Sequence, residues 1–78
     1  MVELKQVLID IAKAIVDDPE QVSVTEETSG DSVMLELHVA EDDMGKVIGR
    51  HGKIAKSIRL LMKAAANTVG KKVSVEIK

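Results

Sequence analysis

A short loop with two glycines contains the residues that could bind a ligand. The seven residues ending at Lys53 read V-I-G-R-H-G-K, so Arg50 and His51 stand between Gly49 and Gly52. Two residues without a Cβ allow a tight turn in which the backbone comes close to a ligand. If a helix begins directly after the loop, its free amide groups favour a phosphate, and Arg50 and Lys53 add positive charge there. The segment therefore predicts a site for a phosphate backbone.

Positive charge continues beyond this loop, although the whole chain has a formal net charge of −2. No Lys or Arg occurs from Ala14 to Gly45, and no Asp or Glu occurs from Lys46 to Lys72. The cations of the second stretch are Lys46, Arg50, Lys53, Lys56, Arg59, Lys63, Lys71 and Lys72. At helical spacing, the four from Lys53 to Lys63 fall within about 120° of each other. This separation predicts a basic binding face.

Length and composition restrict the class of protein. A chain of 78 residues is one small domain, assigned here to residues 1–78. The absence of Cys excludes disulfides, thiolate zinc sites and thiol catalysis, and the two His are too far apart to indicate a metal site. Because Phe, Tyr and Trp are absent, binding modes that stack bases on aromatic rings are also excluded. Glu3 and Lys5 interrupt any apolar N-terminal run, so we expect a cytoplasmic protein without a signal peptide.

The first predicted element is a helix over about residues 2–17, which the sequence Asp17-Asp18-Pro19 ends. Its apolar stripe at helical spacing consists of Leu4, Leu8, Ile11 and Ile15. Ile9 and Val16 lie on the other side of this helix, where polar residues are usual. They are therefore candidates for a partner surface.

Alternating apolar residues predict a β-hairpin over about residues 21–40 and a last strand over about residues 72–78. The hairpin turns across Thr28-Ser29-Gly30-Asp31. Its inward side chains are Val22, Val24, Val33, Leu35, Leu37 and Val39.

Two helices are predicted between these strands, over about residues 42–69, with the glycine loop joining them. The acidic run Glu41-Asp42-Asp43 is interpreted as the start of a short helix that runs through Met44 to Ile48. Asp42 or a neighbour would be its cap, and Asp43 in its first turn would complement the helix dipole. The second helix runs from about Lys53 to Thr68. Its apolar side consists of Ile54, Ile58, Leu61, Met62, Ala65 and Val69.

The element order is α-β-β-α-α-β. Because two helices separate the last two strands, these strands are expected to be parallel neighbours in a mixed three-stranded sheet. The helices would pack on one face of the sheet. The predicted fold class is therefore a two-layer α+β domain.

The segment V-I-G-R-H-G-K, followed by Ile54 and Ile58, resembles the V-I-G-x-x-G signature of KH domains. The element order resembles the bacterial type II KH fold over the whole chain, and a free-standing domain of this size is similar to the KhpA family of small bacterial RNA-binding proteins. One departure is Ala55, where many KH domains have a large aliphatic residue. The resemblance implies a single KH domain without enzymatic activity that binds about four single-stranded nucleotides.

The resemblance also implies roles for particular residues. The clamp on the RNA backbone would consist of Gly49, Arg50, His51 and Gly52. The residues bordering the base groove would be Lys46, Val47, Ile48, Lys53 and Lys56. Arg59 would help to steer the RNA. The family likeness implies an RNA chaperone that needs no cofactor and acts, as a homodimer or with a KhpB-like second KH protein, in control of the cell wall and cell elongation.

Some alternatives stay open at the level of sequence. In one, the scaffold is a protein-interaction module that dimerises through Ile9, Val16 or Leu60 and has little RNA affinity. Single-stranded DNA shares the phosphate backbone, so the sequence does not separate it from RNA. His51 contacts phosphate, senses pH or has no role. An enzyme has no nucleophile–base pair or metal constellation to support it.

Overall fold

The computed structural model describes residues 3–78, and the predicted start of the first helix at residue 2 lies outside this range. The helices and strands are α1 (Leu4–Ile15), β1 (Ser23–Ser29), β2 (Ser32–His38), α2 (Met44–Ile48), α3 (Lys53–Thr68) and β3 (Lys72–Ile77). Short 3-10 turns occupy Pro19–Gln21, Glu41–Asp43 and Arg50–Gly52. Within the described range, no helix combines the length and the apolar character needed to cross a membrane.

The three strands form one mixed sheet in the order β1-β2-β3. β1 and β2 are antiparallel, with Val24 opposite Leu37. β2 and β3 are parallel, with Leu35 opposite Val75. A parallel pair needs a crossover connection, which α2 and α3 provide. The fold is thus the predicted two-layer α+β arrangement, and it has the element order and sheet of a type II KH domain.

The core lies between one face of the sheet and the helices α1 and α3. α1 packs on β1, α3 packs on β3, and the two helices contact each other. The alternation predicted for the hairpin is confirmed, because Val24, Leu35 and Leu37 point into this layer and are buried. Glu36 and His38 lie on the opposite face of the sheet. Burying a set of aliphatic side chains of this size is the main source of stability in a domain without disulfides.

The buried line of α1 differs from the predicted stripe. Leu4, Leu8 and Ala12 are buried, whereas Ile15 is exposed. A spacing of four residues keeps these side chains on one line, and the small Ala12 lets the helix approach its neighbours closely. Ile9 and Val16, the candidates for a partner surface, are half-buried against the core. They therefore do not form a free surface.

The buried face of α3 is also rotated from the prediction. Ala55, Ile58, Met62 and Ala66 are buried, and Ile54 and Leu61 are exposed. Hydropathy favours the large Leu61 as a core residue, but the helix instead buries two small alanines, and Ala66 is the one that lies in the core with the sheet residues. Leu60 and Leu61 are left adjacent to each other in solvent. They are the two most exposed large apolar side chains of residues 3–78.

Candidate nucleic-acid interface

The loop between α2 and α3 is a tight turn of left-handed backbone. Gly49, His51 and Gly52 have φ angles of 75°, 58° and 74°. The amide of Gly49 donates to the carbonyl of Gly45 at 2.8 Å, and the amide of Gly52 donates to the carbonyl of Gly49 at 3.2 Å. Three residues with positive φ in four positions reverse the chain between the helices. Two of the three are glycines, which adopt this conformation without steric cost.

The two glycines of the loop meet different constraints. A Cβ on Gly49 would lie 2.6 Å from Cγ1 of Ile54, which is closer than van der Waals contact permits. A Cβ on Gly52 would meet no atom within 4 Å. Glycine is therefore required at position 49 both because φ is positive and because Ile54 leaves no room for a Cβ. At position 52 it is required only because φ is positive. The packing of Ile54 on Gly49 fixes the loop against the first turn of α3.

The first turn of α3 has no side chain that accepts from its amides, although the amide of Lys53 donates to the carbonyl of Arg50 in the preceding 3-10 turn. The N-cap is Gly52, and the described residues supply neither a side-chain cap nor an acidic residue in this turn. Ser, Thr, Asp or Asn normally accepts a hydrogen bond at this position. Lys53 and the exposed Arg50 lie here instead. The partial positive charge of the helix end is thus reinforced by cations, which suits a phosphate.

The predicted cations have different partners. Arg50, Lys53 and Lys56 are exposed, and none of the ion pairs found in residues 3–78 involves them. Arg59 donates from Nε to the carbonyl of Val75 at 3.2 Å, so its side chain spans from α3 to the edge strand β3. Lys46 forms an ion pair with Asp17. The structure therefore leaves three of the predicted cations available around the loop and holds two in intramolecular contacts.

The ion pair affects the protonation of Lys46. A hydrogen bond from the lysine amine to the Asp17 carboxylate raises the pKa of Lys46 above its ordinary value. The charges of Asp17 and Asp43 act in the same direction, and partial desolvation opposes them. Lys46 is therefore a cation at any physiological pH.

Asp43 is the single charged side chain buried in the part of the chain that the structure describes, with 2% of its surface exposed. One carboxylate oxygen accepts from the amide of Asp17 and the other from the amide of Asp18, each at 3.1 Å. Asp43 is the N-cap residue of α2 by position, but its side chain forms no cap hydrogen bond there. The carboxylate instead fixes the exit of α1 to the start of α2. This partner is distant in sequence, so no local pattern indicated it.

The apolar residues beside the loop also divide into two groups. Val47 is fully buried in the core, so its side chain offers no surface beside the loop. Ile48 and Ile54 are exposed on either side of the loop. Ala55 is buried, so the small residue noted in the sequence lies on the buried face of α3. Aliphatic surface next to the loop is therefore supplied by Ile48 and Ile54.

Comparisons with known proteins give consistent results. The family model described as "KhpA/KhpB, KH domain" matches residues 5–77. A protein of Clostridium acetobutylicum named RNA-binding protein KhpA is 55% identical over 74 residues, which cover 95% of this chain and 99% of that protein. Its namesake in Listeria monocytogenes is 40% identical and is covered to 97%.

Solved structures support the fold. The structure of Era in complex with MgGDPNP and part of 16S ribosomal RNA aligns with a TM-score of 0.69 at 16% identity, covering 95% of this chain and 28% of that one. An Era structure from Aquifex aeolicus, bound to GDP and an aluminium fluoride, aligns with a TM-score of 0.70 at 19% identity and is covered to 29%. At this level of identity the likeness concerns the fold alone.

The two loop glycines give a first prediction. Gly52→Ala should lower the free energy of unfolding by about 1–2 kcal/mol, because alanine is strained at positive φ. Gly49→Ala should cost more, since the added methyl group also displaces Ile54. Urea denaturation followed by circular dichroism measures both values. Equal losses for the two variants would contradict the contact between Gly49 and Ile54.

The buried carboxylate gives a second prediction. Asp43→Ala should lower the free energy of unfolding by about 2–3 kcal/mol, because two backbone amides lose a charged acceptor. The matched variant Asp42→Ala changes an exposed neighbour and should cost no more than about 0.5 kcal/mol. Urea denaturation of both proteins gives the comparison. A loss at Asp43 as small as that at Asp42 would show that the two hydrogen bonds contribute little.

Proposed function

The chain belongs to the KhpA/KhpB KH-domain family, and from this membership we propose that it is a single-stranded RNA-binding protein. Members of this family are RNA-binding KH proteins and not enzymes. In the proposed complex, the loop from Gly49 to Gly52 clamps the sugar–phosphate backbone. The bases lie beside the loop, where their edges are free to form hydrogen bonds.

The observation that supports this proposal most directly is the uncapped N-terminus of α3. Its first turn has no acidic residue, and its N-cap is a glycine. The amides of Gly52 and Lys53 already donate to the carbonyls of Gly49 and Arg50, so an RNA phosphate would accept hydrogen bonds from the amides of the first turn that remain free. Arg50 and Lys53 stand at the same point and add charge–charge attraction. His51 follows Arg50 in the loop and is exposed to the same ligand.

The bases would contact aliphatic and polar groups. The chain has no aromatic residue, so stacking on rings does not contribute. Ile48 and Ile54 are exposed beside the loop and offer apolar contact to a base. Lys56 extends the positive charge along α3, and Arg59 lies toward β3. These residues, with Lys46, form the proposed contact set, from which the buried side chain of Val47 is left out.

A clamp of this size gives weak affinity that depends on salt. For single strands, the slope of log K against log salt is about −0.7 for each phosphate that the protein neutralises. Because only a few cations surround the loop, we expect few neutralised phosphates and therefore weak binding. A second linked or bound module raises the effective affinity without new contacts at this site. This supports the proposal that the protein acts with a KhpB-like KH partner. The roles as an RNA chaperone and in control of the cell wall and cell elongation rest on family likeness alone.

A second candidate function is self-association, and one observation favours it. Leu60 and Leu61 are 70% and 56% exposed on the outer side of α3. Ser57 and Ala64 lie one turn to either side, so the surface has residues at positions i, i+3, i+4 and i+7 of a helix. Such a pattern is typical of helices that pack on another helix. A homodimer through this surface leaves the loop free at the N-terminal end of α3, whereas Lys56 of the contact set lies one turn before Leu60 on the same side of the helix.

The clamp gives a third prediction, on RNA binding. The variant Arg50→Asp/His51→Asp should bind a labelled, randomised short single-stranded RNA at least about tenfold more weakly at low salt, since it reverses charge at the phosphate site. Fluorescence anisotropy measures the affinity, and circular dichroism confirms the fold.

A control variant has the same net charge as Arg50→Asp/His51→Asp but is changed far from the loop. Lys5→Asp/Gln6→Asp makes the same charge change at the first turn of α1 and should alter the affinity by less than about twofold at moderate salt. Equal weakening by the two variants would show that only net charge matters. Absence of RNA binding by the wild-type protein would overturn the proposed function.

The leucine pair gives a fourth prediction, on oligomeric state. Leu60→Lys should shift the protein from dimer to monomer, because a desolvated charge opposes packing of α3 on a second copy. Size-exclusion chromatography with light scattering measures the mass. The control Thr25→Lys adds the same charge on the opposite face of the sheet and should leave the mass unchanged. A wild-type monomer at high concentration would contradict self-association.

A further inference from the structure

Lys46 is the cation of the contact set that has an acidic partner. It lies in the last turn of α2, and Gly49 follows three residues later. In the free protein its amine contacts a carboxylate oxygen of Asp17. The carboxylate is an anionic oxygen acceptor, as is a phosphate of RNA. The position that a phosphate would take at Lys46 is thus occupied by a side chain of the same domain.

The fold itself places Asp17 at this position. The backbone amide of Asp17 donates to Oδ1 of Asp43 at 3.1 Å, and the amide of Asp18 donates to Oδ2. Asp43 precedes α2 and is buried, so it ties the segment after α1 to the start of the helix that contains Lys46. The backbone of Asp17 is therefore held beside α2 by contacts other than the ion pair. It stays there when the ion pair is broken, so the carboxylate remains within reach of Lys46.

The ion pair lies in water and can be exchanged. The side chain of Asp17 is 81% exposed and that of Lys46 is 42% exposed. Solvent screens the attraction within such exposed pairs, so their contribution to the free energy of unfolding is small. Replacing the carboxylate by a phosphate requires neither burial of a charge nor movement of the backbone.

We propose that Asp17 competes with an RNA phosphate for Lys46 and is exchanged for it when RNA binds. This inference rests on the proposed function and concerns one residue of its site. In the free protein, the Asp17 carboxylate is paired with the amine of Lys46, and this pairing lowers the affinity of the protein for RNA. Its effect on binding passes through Lys46, and this separates it from the general repulsion that every acidic residue near the site exerts.

The test compares two neighbouring acidic residues. Asp17→Asn and Asp18→Asn lie side by side after α1 and change the net charge equally. Both variants retain the backbone amides that donate hydrogen bonds to Asp43. Both are combined with Lys46→Met, which removes the amine and keeps the aliphatic stem. Binding of a labelled, randomised short single-stranded RNA is measured by fluorescence anisotropy at low salt, and urea denaturation confirms that each variant is folded.

Asp17→Asn is expected to bind about twofold to fivefold more tightly than Asp18→Asn, which corresponds to the strength of an exposed ion pair. In the Lys46→Met background, the two asparagine variants should bind alike. Equal affinities in the wild-type background, or an advantage of Asp17→Asn that persists without Lys46, would overturn the inference while RNA binding itself stands. Loss of RNA binding in all the proteins, wild type included, would instead overturn the proposed function.

Discussion

The parallel pairing of β2 with β3 is the constraint on which the rest of the structure depends. Parallel neighbours need a crossover, and in so short a chain α2 and α3 form it, with α3 packed on β3 and α2 packed on α3. The chain must therefore reverse within the few residues between α2 and α3. Left-handed backbone at Gly49, His51 and Gly52 makes this reversal. Because the turn requires glycine at the N-cap position of α3, no side chain caps this helix. The turn that the topology requires therefore also leaves the N-terminus of α3 accessible to an anion.

The separation of charge along the sequence has two different consequences in space. The acidic part contains Asp43, whose buried carboxylate binds two backbone amides and joins the exit of α1 to the start of α2. The basic part surrounds the loop, and Arg50, Lys53 and Lys56 remain in solvent. The two parts meet at the pair of Lys46 with Asp17. A negative net charge is therefore compatible with a positive site, because part of the acidic charge acts within the fold.

Local patterns were sufficient to predict most of the fold. Alternation predicted the hairpin, the glycine loop predicted the break between α2 and α3, and chain order predicted the parallel pairing. The errors concern side chains whose environment depends on distant residues. Leu61 is exposed and Ala55 is buried because the approach of α3 to the sheet sets its rotation, which hydropathy alone does not reveal. Asp43 accepts hydrogen bonds from amides 25 and 26 residues away, which no local pattern indicates.

The site combines a rigid backbone with few strong contacts, and this limits how it can select a ligand. The loop is fixed by its own hydrogen bonds and by Ile54 on Gly49, so a ligand meets a backbone that is already in place. Preorganisation of this kind reduces the entropic cost of binding. Without aromatic rings, each base contributes less than a stacking platform would provide. Discrimination between sequences must then come from hydrogen bonds at the base edges, while affinity comes from the backbone clamp and from any second module bound beside it.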